Sequence, residues 1–261
     1  MPAHAHKVTQ HRSKLPGVDA IEFVSNRAFP RHCHDQYGIG VILSGAQRSW
    51  SGRGHVESFA GGIITVNPGE MHDGIPAGGC VRRWRMLYFD PPLLAGTPAQ
   101  GEFQSPSLRN AALASLVQNL FAQVTGEGDP LAVEEHLLRL AGPLIGSRNA
   151  TAAPPGVMPA IAKAKARIDE DPASPVTLAE LAALSGTSRF QLVRAFAREL
   201  GTTPHAYLVQ RRVLLARQLL LTGETAASAA AGAGFADQSH MTRAFARNFG
   251  VTPARYIAAR A

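Results

Sequence analysis

Apolar residues in the first hundred positions fall in short runs broken by glycine and proline. Tyr37 to Leu43, Gly62 to Val66 and Val81 to Phe89 are such runs, separated by Ser44-Gly45, Gly52-Arg53-Gly54 and Asn67-Pro68-Gly69. Short strands at this spacing predict an antiparallel sandwich or small barrel. After Ser107 the period changes. Leu113, Leu116, Val117, Leu120, Phe121 and Val124 recur at helical spacing, and Leu137, Leu138, Ala141, Leu144 and Ile145 predict a second helix. Ser147 to Pro159 holds small residues and prolines with little to bury, which predicts a linker. Everything beyond it reads as helix.

The helical part repeats itself. Arg194 to Leu208 (RAFARELGTTPHAYL) and Arg243 to Ile257 (RAFARNFGVTPARYI) match at nine of fifteen positions with an offset of 49 residues. Each copy ends a pattern expected of a helix-turn-helix. In the first, Thr177 caps a helix through Ala183 and Glu180 completes a capping box. Ala182 is small where two helices cross, and Gly186, four residues on, suits a turn with positive φ. Ser188 caps the next helix, which turns Leu192, Ala195 and Phe196 inward. In the second copy Ala230 and Gly234 keep the same separation, Asp237 is the cap, and Met241 and Phe245 are the inward anchors. A pair of packed helical hairpins would share single elements of this pattern; duplication with matching caps, turns and arginines favours the helix-turn-helix.

The outward faces carry the chemistry. With Leu192 and Phe196 buried, the 3.6-residue period puts Phe190, Gln191, Arg194 and Arg198 on the opposite side, and Ser239, His240, Arg243 and Arg247 in the second unit. Arg and Gln can hydrogen-bond guanine and adenine edges in a major groove, and Phe190 can meet a thymine methyl or pack on a neighbouring helix. Arg194 and Arg243 share a repeat position, which suits phosphate contact or a structural role. Ser188, Arg189, Asp237 and Gln238, at the helix starts, complete the candidate DNA-binding set. Between the units, Pro204 to Leu221 reads as one helix of 18 residues, about 27 Å long at 1.5 Å per residue. Successive major grooves lie about 34 Å apart, so one such helix can hold two readers near adjacent grooves.

Charge agrees with this division. Up to Gly156 there are 13 Lys/Arg against 12 Asp/Glu, a net of +1; from Val157 onward there are 13 against 7, a net of +6. A basic end beside a near-neutral one points to a bound polyanion. The chain has no apolar run long enough to span a bilayer and no secretory pattern at its start, and two cysteines, Cys33 and Cys80, suggest no disulfide framework. A cytoplasmic protein without membrane contact is expected.

These C-terminal residues resemble the AraC/XylS family of bacterial transcription regulators, over roughly Val157 to Arg260. GFADQSHMTRAFARNFGVTPARYIAAR, from Gly234 onward, follows that family's signature most closely, and RRVLLARQLL fits as well. Two departures stand out: Met241 replaces the usual phenylalanine, and TAASAAAGAG replaces large aliphatics with alanine, which reduces buried area in the second unit. The resemblance implies double-stranded DNA and RNA polymerase as partners, a small-molecule effector, and a homodimer, for which the two helices after Ser107 are candidates unless they pack on the chain's own barrel.

In the N-terminal part, FPRHCH (Phe29 to His34) and NPGEMH (Asn67 to His72) place histidines where they can converge. Alternate histidines on one strand point the same way, and a third can arrive from another strand. His32, His34 and His72 are a plausible transition-metal set, or line an effector pocket, or conserve the fold. The arrangement resembles a cupin barrel and the AraC-type sensor domain. The cupin glutamate after HxH is absent, Tyr37 and Gly38 standing near its place, which argues against a metallo-dioxygenase or isomerase. Tyr37, Arg48, Trp50 and Trp84 are further pocket candidates. The resulting expectation is an α+β protein of two domains: a cupin-like antiparallel barrel (1–106), a helical dimerisation or packing segment (107–146), a linker (147–159), and an all-α DNA-binding domain (160–261) with helix-turn-helix motifs near 178–199 and 226–249 joined by a long helix. It is a sequence-specific, effector-responsive regulator with no cofactor and no catalytic residues. A metal-dependent cupin enzyme with a helical appendage, and a DNA-binding protein whose barrel only dimerises, are the alternatives.

Overall fold

The computed structural model describes residues 5–52, 54–94, 101–126, 133, 136–137, 140, 145–147 and 159–260. The chain divides into two compact units, Met1–Thr151 with Ala258–Ala261, and Ala152–Ile257. The first is built on antiparallel sheets and the second is helical.

The larger sheet has six strands. β1 (His6–His11), β2 (Val18–Ser25), β9 (Arg82–Phe89), β4 (Tyr37–Ser44), β7 (Ile63–Val66) and β11 (Ser107–Leu108) lie side by side in that order. A four-stranded sheet follows the order β3 (Phe29–His32), β8 (His72–Pro76), β5 (Ala46–Ser51), β6 (Gly54–Phe59), and β10 (Gly101–Phe103) pairs with β12 (Ile145–Ser147). Every pairing is antiparallel, which fits the short runs joined by glycine turns.

Because successive side chains alternate across a strand, the large sheet has two apolar faces. Val18, Ala20, Ile39, Val41, Ile63, Leu87 and Phe89 pack against α1 (Ala111–Thr125), through Leu113, Val117, Leu120, Phe121 and Val124. The helical residues Val133, Leu137 and Leu140 join the same core. The amphipathic stripe of α1 is thus covered by the chain's own sheet. On the other face Ile21, Phe23, Ile42, Ile64, Trp84, Met86 and Tyr88 form a second core, onto which Phe29 of the small sheet packs. Asn110 caps α1 by accepting a hydrogen bond from the Leu113 amide at 3.0 Å.

One element differs from expectation. Helical spacing predicts Ile145 at the end of a helix; it lies in β12, opposite Phe103. Gly142-Pro143 just before it is a pair that interrupts a helical pattern, and the helical spacing of the leucines masked that break. Leu138, Ala141 and Leu144 lie outside the described residues, as does the expected linker except Ser147, which ends β12, and Pro159.

Among the described residues seven helices make up the second unit: α2 (Pro159–Glu170), α3 (Leu178–Leu184), α4 (Arg189–Glu199), α5 (Pro204–Leu221), α6 (Ala226–Gly232), α7 (Gln238–Phe249) and α8 (Pro253–Ala258). α5 has the 18 residues expected, with Pro204 in its first turn where no amide donor is needed. The repeat is structural. Tyr207 donates from its hydroxyl to Asp169 of α2 at 2.7 Å, and its counterpart Tyr256 accepts at its hydroxyl from Nε of the buried Arg217 of α5 at 2.6 Å. Each unit is tied by its tyrosine to a charged side chain on an earlier helix.

Gly186 and Gly234 turn the chain between the paired helices at φ +64° and +77°. A Cβ at Gly186 would meet no neighbour, whereas one at Gly234 would collide with the carbonyl oxygen of Ala173. Gly186→Ala should therefore cost only the left-handed backbone penalty, about 1–2 kcal/mol, and Gly234→Ala about 2–5 kcal/mol once overpacking is added; urea unfolding monitored by circular dichroism reads both. Tyr256→Phe removes the acceptor of the Arg217 Nε–H and should cost about 1–3 kcal/mol in the same assay.

Candidate DNA-reading helices and effector chamber

Each second helix is held by its first turn. Thr177 and Glu180 form a capping box at α3, and Ser188 and Gln191 form another at α4, with Ser188 Oγ accepting from the Gln191 amide at 3.2 Å and Gln191 Oε1 accepting from the Ser188 amide at 3.0 Å. Asp237 caps α7 by accepting from the His240 amide at 2.7 Å. Leu192, Ala195 and Phe196 of α4, and Met241, Ala244 and Phe245 of α7, are buried. Ser188 and Asp237 thus act first as caps, and the Asp237 carboxylate sits at the positive end of a helix rather than facing a phosphate.

The opposite faces are open. Arg189, Phe190, Gln191, Arg194 and Arg198 are exposed on α4, as are Gln238, Ser239, Arg243 and Arg247 on α7. Phe190 is 68% exposed, so among the described residues it is not packed on a neighbouring helix; the Arg194 guanidinium lies 5.5 Å from its ring centre. Gln191 is constrained. Its carbonyl oxygen is engaged by the Ser188 amide, so bidentate pairing with adenine would break the capping box, while its amide nitrogen is left to donate. His240 is half-buried, with its ring edge-on to Phe235 at 5.2 Å, and belongs as much to the turn as to the reading face. The equivalent arginines are not electrically equal: Arg198 pairs with Glu199 at 2.8 Å, whereas Asn248 follows Arg247. In α6 Ala229 and Ala230 are buried, as is Ala233 at its C-terminal cap, so the small residues there bring helices together closely.

In the β unit the three histidines converge, though not all from strands. His32 ends β3, His34 lies just beyond it, and His72 opens β8 opposite His32. Their ring centres are 4.3–5.2 Å apart, and one nitrogen from each lies within 4.8 Å of the others. Nδ1 of His32 is 2.7 Å from the Pro30 carbonyl oxygen and Nδ1 of His72 is 3.0 Å from that of Glu70. A carbonyl only accepts, so both rings carry hydrogen on Nδ1 and leave the Nε2 lone pair available. Burial, then the charge of His72, drives the His32 imidazolium down to about 3, and burial drives that of His72 to about 4. Both are neutral at pH 7. Such a set can hold a divalent transition ion through three imidazole nitrogens, or offer polar contacts to an organic ligand.

The other expected pocket residues separate. Trp84 is on the inner face, stacked on Phe23 at 4.7 Å between ring centres. Tyr37 packs with the α1 core on the opposite face and donates to the Gly101 carbonyl at 2.9 Å. Arg48 is exposed opposite Glu57, and Trp50 stands opposite exposed His55 with the Arg31 guanidinium 3.8 Å above it, so both lie on the outer side of the small sheet. Sequence reasoning did not separate the two sides of β5, and it missed the inner residues beside Trp84. Alternation along β9 was the available signal: Arg82, Met86 and Tyr88 share Trp84's face, and Tyr88 meets His34 at 4.9 Å between ring centres.

Comparison with known proteins agrees with the two units. The AraC-like ligand binding domain family matches residues 15–141 and the Helix-turn-helix domain family matches residues 181–259. An uncharacterized HTH-type transcriptional regulator, YbfI, of Bacillus subtilis (strain 168) is 29% identical over 223 residues, covering 82% of this chain and 81% of its own. In fold the chain is similar to an apo variant of ToxT from Vibrio cholerae strain SCE256, at TM-score 0.53 and 14% identity, with 98% of each chain covered. Wild-type ToxT bound to an unsaturated fatty acid is similar at TM-score 0.50 and 14% identity, covering 98% of this chain and 97% of that one. Among the described residues no helix is long and apolar enough to cross a membrane. With an AraC-type ligand-binding domain ahead of a duplicated helix-turn-helix, the chain belongs to the AraC family of transcription regulators.

Proposed function

We propose that α4 and α7 read two neighbouring segments of duplex DNA, and that a small molecule received on the inner face of the β unit changes their occupancy. The observation that carries the reading is the pair of equivalent helices, each capped at its start and each presenting an arginine-bearing open face from a basic unit. Arg194, Arg243, Arg198 and Arg247 supply phosphate contacts; Arg189, Phe190, Gln191, Gln238, Ser239 and His240 discriminate bases. The inner aromatic face with its neutral imidazoles favours a bound organic effector, as does the fatty acid held by the ToxT relative. The role is one of binding and not of catalysis, for Tyr37 and Gly38 stand where a metallo-cupin enzyme carries its glutamate after HxH. Pairing of two chains and recruitment of RNA polymerase complete the proposal by family resemblance. The apolar stripe of α1 is consumed within the chain, so a homodimer would use another surface.

DNA selected from a random library by the full chain, followed by anisotropy titrations at several salt concentrations, tests the reading directly. A metabolite panel run in the same titration tests the effector. Equal affinity for selected and scrambled DNA would overturn the first part; DNA affinity unmoved by every compound would overturn the second. Two variants separate the contacts. Gln191→Glu keeps the capping box but loses the amide donor, and should lose preference at one base pair, worth about 1–3 kcal/mol, with the unfolding midpoint unchanged. Arg198→Ala should weaken binding to every sequence and lower the slope of log K against log salt by about 1.

A further inference from the structure

Arg82 is a fully buried cation with most of its donors unused. Its exposure is 0%, and it lies where β9 turns its inner face towards the small sheet. Nη2 donates to the Gly74 carbonyl at 3.0 Å. Nε and Nη1 reach no acceptor and no carboxylate pairs with the guanidinium among the described residues. The guanidinium carbon is 4.6 Å from the Trp84 ring centre and 5.8 Å from that of Phe29. Desolvation brings its pKa down to about 10, which leaves it charged at pH 7.

Such a group is costly. Buried charges in proteins are normally paired, and the aromatic faces beside Arg82 offset only part of that cost. Arg217, also deeply buried, has the Tyr256 hydroxyl as acceptor. Two features of the surroundings bear on the Arg82 guanidinium. Gly74 stands where a Cβ would press within 3.4 Å of Nη2. Phe23, Phe29 and Trp84 meet one another edge-on or stacked, at 4.7–5.8 Å between ring centres, and form an apolar wall beside the charge. From Arg82 the inner face of β9 continues through Trp84 and Met86 to Tyr88 and the histidines, about 20 Å at 3.4 Å per residue.

We propose that Arg82 is the anchor for the carboxylate of an apolar organic acid, whose hydrocarbon body lies along Phe23, Trp84 and Met86. This rests on the reading of the inner face as the effector site and names the ligand's class. The free Nε–H and Nη1–H supply donors in the fork geometry that a carboxylate accepts, in a low-dielectric setting where such a pair is strong. An uncharged ligand of the same shape would leave the guanidinium as it is.

Thermal unfolding of the full chain with decanoate and 4-phenylbutanoate, beside 1-decanol and 4-phenylbutanamide, tests this, with Arg82→Met and Arg82→Lys as variants. The acids should raise the midpoint of the parent protein, and the neutral partners should bind about ten- to a hundredfold more weakly. Arg82→Met, which keeps the length of the stem and removes the charge, should abolish the preference for acids. Its unfolding midpoint without ligand should equal or exceed the parent's, since an uncompensated buried charge has gone. Arg82→Lys should retain part of the preference. The anchor is overturned if acids and neutral partners bind alike, if Arg82→Met still prefers acids, or if Arg82→Met alone melts below the parent, the mark of a purely structural arginine. Uncharged compounds that shift DNA affinity while the acids fail would remove the anchor and leave the effector reading standing.

Discussion

The six-stranded sheet is apolar on both sides, and the two sides are used for different things. One face is closed by α1 and by the helical residues Val133, Leu137 and Leu140. That burial, about 25 cal/mol for each Å² removed from water, fixes the sheet from behind. The other face is then left to chemistry: an aromatic group, three imidazoles, and one buried arginine. A one-residue slip in any of the central strands would exchange the two sets. The site therefore depends on the register that pairs Val18 with Phe89 and Tyr37 with the same Phe89 from the other side.

The helical unit solves a smaller problem twice. Short helices such as α3 and α6 have too few turns to be stable alone, so caps, left-handed glycines and one tyrosine bond per repeat hold them. The reading helices inherit their orientation from those constraints. The outer side is where the copies differ, with Phe190 and Gln191 in one at the positions of Ser239 and His240 in the other. Copies of one scaffold thereby present unlike surfaces, which is what two unlike half-sites require.

Polar groups inside the protein show which interiors are finished. Arg217 is bonded to Tyr256 and Asn67 is bonded to Glu70 and to the Phe103 backbone. His32 and His72 are neutral and fixed in one tautomer by backbone carbonyls. At Arg82 the interior is left unfinished, with one carbonyl for a fork of donors.

Much of this was legible in the chain. The 49-residue repeat, the caps Thr177, Ser188 and Asp237, the positive-φ turns and the 18 residues of α5 are local, and local rules suffice for local structure. The convergence of His32, His34 and His72 was also legible from two short motifs, even though His34 lies past the end of its strand. Residues far apart in sequence were not assigned so well. Strand alternation says that Arg48 and Trp50 share a side and that Arg82 and Trp84 share a side, but not which side faces in. Gly142-Pro143 was outweighed by helical spacing, so Ile145 emerged as a strand residue. The sequence by itself determined the two units, the repeat and the open faces of α4 and α7, because caps, turns and period act over a few residues. Only the tertiary structure decided which strand faces turn inward, and that the charge of Arg82 is buried there, because sidedness is set by partners distant in the chain.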